Sequence, residues 1–181
     1  MTPGSRMDPG RPPAACPLHG RGADPRSLVG RRITEVVASW RVYGTEAPDG
    51  PVEVWLRDDR GGTVRVTTGS DWCLTVEESA PHAGYDMGPS GRIVVHSASA
   101  DTPFAPHVGR RVLAVREEHD PRTGRTGLEL SFPAGRVRCA TRSGDLALTG
   151  LPPDRPDRQD TASRARPATP SMPASARRPR G

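Results

Sequence analysis

The chain has 181 residues, a formal net charge of +5 and no lysine among its 26 basic residues. This length allows one ordinary domain with tails, and no window approaches the roughly 18 apolar residues that a membrane span needs. No apolar N-terminal run resembles a signal peptide. The three cysteines cannot all pair with one another, so we expect a cytoplasmic protein with reduced thiols.

The two ends of the chain differ in composition from its middle. Residues 1–27 and 151–181 are rich in Pro, Gly, Ala, Ser and Arg and have almost no aliphatic periodicity. Such segments cannot bury enough apolar surface to offset the entropy of ordering them, so we predict disordered tails around one folded domain at residues 28–150. The tails carry formal charges of +2 and +4, which leaves the domain near neutral at −1.

The first tail contains the motif "CPLH", in which two residues separate Cys16 from His19. A cysteine and a histidine at close spacing can form half of a zinc site. The sequence offers no second close pair, because Cys73 and Cys139 are isolated in predicted strands and the other histidines are scattered. We therefore assign no metal ligands and expect no cofactor.

The first predicted element of the domain is the stretch "LVGRRITEVVASW" at residues 28–40. Its apolar residues recur at spacings of four, three and four, which fits one face of a helix as well as a strand. The density of β-branched residues favours the strand. A bulge near Thr34 and Glu35 would let Ile33 and Val36 share a face despite their odd spacing.

Three short segments with alternating apolar residues follow. They are "PVEVWL" at 51–56, "GTVRV" at 62–66 and "SDWCL" at 70–74. Period-two alternation predicts half-buried strands. In the third segment the alternation points Trp72 inward and Cys73 outward.

Residues 77–106 read as a long loop with one strand, "RIVVHS", at 92–97. Long loops on rigid sheets often carry function. A plain crossover between two halves of the domain explains the segment equally well.

Residues 107–150 repeat the pattern of residues 28–76 in the same order, with the segments "HVGRRVLAVR", "GLELSF", "GRVRC" and "GDLAL". The offset between matched positions runs 79, 76, 73 and 74, and each slip falls in a polar or Gly/Pro-rich stretch, where insertions are tolerated. We interpret the chain as an internal duplication interrupted by residues 77–106.

A four-stranded meander with one apolar face cannot hide that face alone. We therefore predict an all-β, mainly antiparallel fold of about eight or nine strands, either a pseudo-twofold sandwich or a partly open barrel, in which the two copies cover each other. The predicted core consists of Ile33, Val54, Leu56, Val64, Val66, Leu74, Val112, Leu128, Leu130, Phe132, Val137 and Leu148.

The ordered, repeated pattern of residues 28–150 resembles small duplicated β-rich bacterial domains of unknown function. The resemblance implies a fold type and no assigned chemistry. No functional residue is carried over from it.

Catalytic signatures are weak. Asp71 and Asp145 precede the last strand of each copy, so the duplication could bring them together as an acid pair, but aspartate is also common in turns. The Gly/Pro loop around Ser90 is not a nucleophile elbow, and no Gly-rich phosphate loop opens a helix. We lean against an enzyme; it would need Asp71, Asp145 or His96 to converge in a deep pocket.

Our leading hypothesis is a non-enzymatic β domain that binds another macromolecule, most simply a protein, in a regulatory or immunity-type role. The expected contact residues are Trp40, Tyr43, Trp55, Tyr85 and Met87, because aromatic side chains are enriched at interfaces. Trp55 falls on the outer face of its strand, where it is either exposed or covered by the interrupting segment.

The alternative is sequence-independent nucleic-acid binding through the arginine-rich C-terminal tail. Arginine pairs well with phosphate, and such binding weakens steeply with salt. A GC-rich coding bias would explain the same composition. The residues concerned are Arg164, Arg166, Arg177, Arg178 and Arg180.

Overall fold

The computed structural model describes residues 15–45 and 47–153. This part of the chain holds ten β-strands, three 3-10 helices and no α-helix. The strands are β1 (Ile33–Val42), β2 (Pro51–Asp58), β3 (Thr63–Thr68), β4 (Leu74–Glu78), β5 (Tyr85–Asp86), β6 (Arg92–Ser97), β7 (Ala114–Asp120), β8 (Gly124–Phe132), β9 (Gly135–Arg142) and β10 (Asp145–Leu151). The 3-10 helices are Pro25–Leu28, Gly88–Ser90 and Ala105–His107. Among these residues no helix is both long enough and apolar enough to cross a bilayer.

The strands form two open antiparallel sheets. The six-stranded sheet has the order β4-β3-β2-β1-β6-β5, and the four-stranded sheet has the order β10-β9-β8-β7. Strands β1–β4 correspond to the segments of the proposed first copy and β7–β10 to those of the second, while β5 and β6 of the interrupting segment lie beside β1. The all-β antiparallel prediction is confirmed, and the strand expected at 92–97 is β6.

One apolar core lies between the sheets and draws on both of them. All the predicted core side chains except Leu148 are buried. In β10 it is Leu146, 5% exposed, that reaches the interior, while Leu148 packs at the margin of the core. Fully burying one such side chain stabilises the fold by roughly 1.5–3 kcal/mol, so the facing sheets hold each other.

Strand β1 contains the predicted bulge. Ile33 lies opposite Asp58 and Glu35 lies opposite Arg57, so Thr34 is the extra residue. The bulge turns both Ile33 and Val36 into the core, where they are 1% and 0% exposed. The strand begins only at Ile33, because the preceding residues form a 3-10 helix and a turn.

The two "VGRR" turns pair with each other. The Gly30 N–H donates to the Val112 carbonyl at 2.8 Å, and the Gly109 N–H donates to the Ile33 carbonyl at 2.7 Å. The Arg32 guanidinium reaches the Gly109 carbonyl, and Arg111 reaches the Gly30 carbonyl in the same way. The bonds are reciprocal between matched positions of the two turns. The duplication that would explain them stays a prediction.

Residues 15–27, which we call the N-terminal arm, are part of the folded unit, where the sequence predicted a disordered tail. Cys16 and Gly20 exchange two backbone hydrogen bonds. The Ala23 N–H donates to the Val76 carbonyl of β4 at 2.7 Å. The difference arises because the arm makes contacts with distant strands, which local composition does not report.

The tail boundary at the other end also shifts slightly. Leu151, the first residue of the predicted second tail, is the last residue of β10. The rest of that tail from residue 154, and residues 1–14 of the first tail, lie outside the described residues.

In the turn between β3 and β4, two side chains point in the opposite directions to those predicted from the strand pattern. Trp72, predicted to point inward, is 63% exposed, and Cys73, predicted to point outward, is 1% exposed. Strand β4 begins only at Leu74, so the preceding residues belong to the turn. Trp72 has a left-handed backbone, with φ of +65°, and this breaks the alternation.

Candidate metal centre

Four side chains from two distant parts of the chain meet at one place. Cys16 and His19 come from the N-terminal arm, and Asp71 and Cys73 come from the β3–β4 turn. One ligand atom from each side chain can be chosen so that all four atoms lie within 4.8 Å of one another. Cysteine, histidine and aspartate are the residue types that bind zinc.

The arm presents its two ligands from a tight turn. Its ends are closed by the backbone bonds between Cys16 and Gly20, and Gly20 adopts a φ of +68°, which glycine tolerates without strain. The His19 N–H donates to the Cys16 Sγ at 3.1 Å. This bond fixes the position of the Cys16 sulfur within the turn.

The β3–β4 turn presents the other two ligands. The Gly69 N–H donates to the Cys73 carbonyl at 2.8 Å, and the Trp72 N–H donates to the Gly69 carbonyl at 3.0 Å. A Cβ atom on Gly69 would lie 2.7 Å from the His19 ring and 2.9 Å from the Cys73 Sγ. The approach of the arm therefore depends on the missing side chain at this position.

Hydrogen bonds already connect the four groups. The Cys16 thiol donates to Asp71 Oδ2 at 2.8 Å, and His19 Nε2 lies 3.8 Å from Asp71 Oδ1. The bonds from the thiols of Cys16 and Cys73 lower the pKa of Asp71. Burial, followed by hydrogen bonds to Asp71 and Cys16, raises the pKa of Cys73, so a cation that binds this sulfur would have to displace the thiol proton.

The donor set and its dimensions suit Zn²⁺. Tetrahedral zinc with bonds of about 2.0 Å to nitrogen or oxygen and 2.3 Å to sulfur has ligand atoms roughly 3.3–3.8 Å apart. The cluster needs only a small contraction to reach this geometry. Two thiolates disfavour the hard cations Mg²⁺ and Ca²⁺, which take oxygen ligands.

A cleft of about 260 Å³ opens beside the cluster. Cys16, His19 and Cys73 line one part of it, and Glu117 and Arg125 line another. Both cysteines of the cluster therefore line an open cleft.

The charged groups of the cleft hold the arm in place. Arg125 Nε donates to Glu117 Oε2 at 2.7 Å, and its Nη2 donates to the carbonyls of Arg21 and Ala23 at 3.3 and 3.4 Å. His119 Nε2 lies 3.5 Å from the Glu117 carboxylate. Because the Arg125 guanidinium donates its hydrogen bonds to the arm and to Glu117, we assign Arg125 and Glu117 a structural role.

The predicted contact residues differ widely in exposure. Tyr43 and Tyr85 are 57% and 54% exposed, and Met87 is half-buried. Trp40 is 9% exposed and belongs to the core cluster. Only the two tyrosines offer a partner a large exposed side chain.

Trp55 lies on the outer face of β2 as predicted, but it is fully buried. The His82 ring covers it edge-on, with ring centroids 5.2 Å apart. The interrupting segment therefore covers Trp55, which is the second of the two predicted outcomes.

The residues considered for catalysis are dispersed. Asp71 belongs to the metal cluster, Asp145 lies in a separate cleft with Arg41, and His96 stacks on Trp40 with centroids 4.1 Å apart. Neither the cleft beside the cluster nor the cleft that holds Asp145 brings Asp71, Asp145 and His96 together. The arginines proposed for nucleic-acid binding, Arg164, Arg166, Arg177, Arg178 and Arg180, lie outside the described residues.

From the sequence, we considered Cys16 and His19 as half of a zinc site but assigned no metal ligands, because no second half was evident. We interpreted Asp71 and Cys73 as residues of a turn and a strand. The signal that could have found them is the Asp-x-Cys spacing within the turn-forming "GSDWC", since a ligand pair on a turn resembles the pair in "CPLH".

No family model, curated protein or solved structure matches this chain.

Proposed function

We propose that the protein is a zinc-binding β-sandwich domain in which Cys16, His19, Asp71 and Cys73 hold one structural Zn²⁺ ion. The observation that carries the proposal is the convergence of four ligand atoms within 4.8 Å, although Cys16 and Asp71 are 55 positions apart in the chain. A turn at each end of this span presents two ligands.

A structural role follows from the number of ligands. Four protein ligands fill a tetrahedral zinc ion, whereas catalytic zinc sites keep one position open for water or substrate. The ion would join the N-terminal arm to the β3–β4 turn. Binding free energy at such a site contributes directly to folding, and the arm has few apolar side chains of its own.

Metal analysis of the purified full-length protein tests the proposal. We expect one zinc ion per chain, and on replacement with Co²⁺ the absorption bands of a tetrahedral cobalt–thiolate centre. Cys73→Ser and His19→Ala should lose zinc. Cys139→Ala is the matched control, because it removes the one cysteine that lies in the core, away from the cluster.

The proposal fails if the wild-type protein holds no zinc after exposure to the ion and shows no cobalt–thiolate absorption. It also fails if Cys139→Ala loses the metal while Cys73→Ser keeps it.

Binding of a partner protein is the second candidate function. It is favoured by two exposed apolar side chains on the ligand-bearing turns: Leu18, 68% exposed, lies between Cys16 and His19, and Trp72 lies between Asp71 and Cys73. Exposed aromatic anchors of this kind often dominate protein interfaces.

Affinity capture with zinc-loaded wild type and with Trp72→Ser tests this second candidate. Loss of a specific partner from the variant, with its zinc content unchanged, supports the surface. Equal recovery of every captured protein by both forms argues against it. Tyr43→Ser serves as a control for an exposed aromatic residue outside the ligand-bearing turns.

A further inference from the structure

The three cysteines fall into two groups. The Sγ atoms of Cys16 and Cys73 lie within 4.8 Å of each other, and both residues line the cleft beside the cluster. Cys139 is completely buried in the core between the sheets. Burial raises its pKa to about 12, so this thiol is chemically inert at neutral pH.

We propose that Cys16 and Cys73 form a redox-sensitive pair, which a hydroperoxide oxidises to a disulfide with release of the zinc ion. The inference rests on the proposed function, because it concerns the regulation of that same site.

The chemistry balances with hydrogen peroxide as the oxidant. One thiolate sulfur attacks a peroxide oxygen, breaks the O–O bond and becomes a sulfenic acid, and hydroxide leaves. The second thiolate attacks the sulfenic sulfur, forms the S–S bond and expels a second hydroxide. The two sulfurs lose two electrons and the peroxide gains them; two protons from solvent convert the hydroxides into two water molecules, and Zn²⁺ leaves unchanged.

The geometry permits the bond. A disulfide has an S–S length of about 2.0 Å, so the sulfurs must approach by less than about 3 Å from their upper separation. The two cysteines lie on different turns, so the bond requires only a small displacement of one turn relative to the other. The cleft supplies the path for the peroxide.

The oxidised form keeps the arm attached. The disulfide would replace the metal as the link between Cys16 and the β3–β4 turn, while His19 and Asp71 would lose the cation that they share. The switch therefore changes metal occupancy and leaves the two sheets intact.

The test uses zinc-loaded full-length protein carrying Cys139→Ala, so that only the two cluster thiols remain. Hydrogen peroxide is added in steps, zinc release is followed with a chromogenic chelator, and the products are mapped by mass spectrometry without reduction. We expect one zinc ion released for each Cys16–Cys73 disulfide formed, and rebinding of zinc after addition of dithiothreitol. Wild-type protein should give the same disulfide with Cys139 still reduced.

The two proposals fail in different ways. If the purified protein binds no zinc, both the zinc site and this inference are overturned. If it binds zinc but peroxide leaves both thiols free, or carries each one separately to sulfinic acid, only the redox pair is overturned.

Discussion

Gly69 controls the closest approach in the cluster. Its backbone does not require a left-handed conformation, and the three atoms nearest to an added Cβ belong to the side chains of His19 and Cys73. The side chains of His19 and Cys73 can shift to make room for this Cβ atom. They then move away from the positions in which both could bind one metal ion. Metal affinity and fold stability are therefore separable at this residue.

We expect Gly69→Ala to fold normally and to bind zinc about 10- to 100-fold more weakly, the range seen when ligand orientation is disturbed. Competition titration with a chromogenic chelator measures the affinity, and urea unfolding of the metal-free protein measures the stability. The control is Gly50→Ala, whose Cβ would meet only the Leu146 carbonyl at 3.9 Å. Unchanged zinc affinity in Gly69→Ala would contradict this account of the cluster.

His82 fastens the interrupting segment over the outer face of the larger sheet. Its Nδ1 lies 2.7 Å from the Ala83 carbonyl, and its Nε2 lies 2.6 Å from Glu53 Oε2. The Ala83 bond and the Glu53 carboxylate raise the pKa of His82, against burial and the nearby Arg65 cation. The protonated ring can donate to both acceptors at once while it covers Trp55.

The raised pKa makes this contribution to stability dependent on pH. The unfolded chain has an ordinary histidine pKa of about 6.5, so the stabilisation is fully present below that pH and is lost as pH rises through the higher pKa of the folded state. We expect His82→Asn to lower the free energy of unfolding more at about pH 5.5 than at about pH 9. Urea unfolding at both values measures the difference.

Glu53→Gln provides the control for this prediction. In that background the effect of His82→Asn should depend less on pH, because one of the two acceptors has lost its charge. A difference between wild type and His82→Asn that is the same at both pH values would contradict the assignment.

At the scale of elements, the two "VGRR" turns have nearly the same backbone. Gly30 and Gly109 have φ values of +80° and +79°, and each follows a residue with φ near −60° and ψ near +130°. A Cβ on either glycine would meet no atom within 4 Å. The only penalty for a side chain at these positions is the left-handed backbone itself.

We therefore expect Gly30→Ala and Gly109→Ala to lower the free energy of unfolding by about 1–2 kcal/mol each, the cost of a left-handed alanine. Asparagine tolerates this conformation better, so Gly30→Asn and Gly109→Asn should be milder. Urea unfolding gives all four values. Alanine variants that differ from each other by more than about 1 kcal/mol would show that the two turns are not equivalent.

The individual strands show which structural features sequence periodicity can predict. The alternation in "PVEVWL" and "GLELSF" predicted β2 and β8, because strand period alone decides which residues share a face. The bulge at Thr34 was predictable for the same reason, since Ile33 and Val36 could not otherwise face one core. The same rule gave the wrong direction for the Trp72 side chain. Trp72 has a left-handed backbone conformation, which ends the alternation of the strand, and the pattern of apolar residues does not reveal that conformation.

At the scale of the whole molecule, the N-terminal arm lies along an open edge. Strand β4 ends the six-stranded sheet, and the arm bonds to its Val76 carbonyl through the Ala23 N–H. Covering an edge strand removes a template for pairing with other chains. The proposed zinc ion would hold the arm there at its outer end, and Arg125 would hold it further along.

Removal of zinc with a chelator should loosen the arm before it affects the sheets. We expect hydrogen exchange of the amides at residues 16–23 to accelerate by about 10-fold or more, because local opening needs less free energy than global unfolding. The amides of β2 and β3 in the same sample should keep their protection and serve as the internal reference. Equal acceleration in the arm and in these strands would mean that the ion stabilises the whole fold.

The amino-acid sequence by itself determined the strands, the mutual covering of two similar halves and most of the core, since these follow from local period and from the need to bury one apolar face. Only the tertiary structure decided that Cys16 and His19 meet Asp71 and Cys73. It also decided that the interrupting segment covers Trp55. Periodicity is a local property, because it indicates only which way a side chain points within its own strand. A metal centre depends on long-range packing, which here brings together turns more than fifty positions apart in the chain.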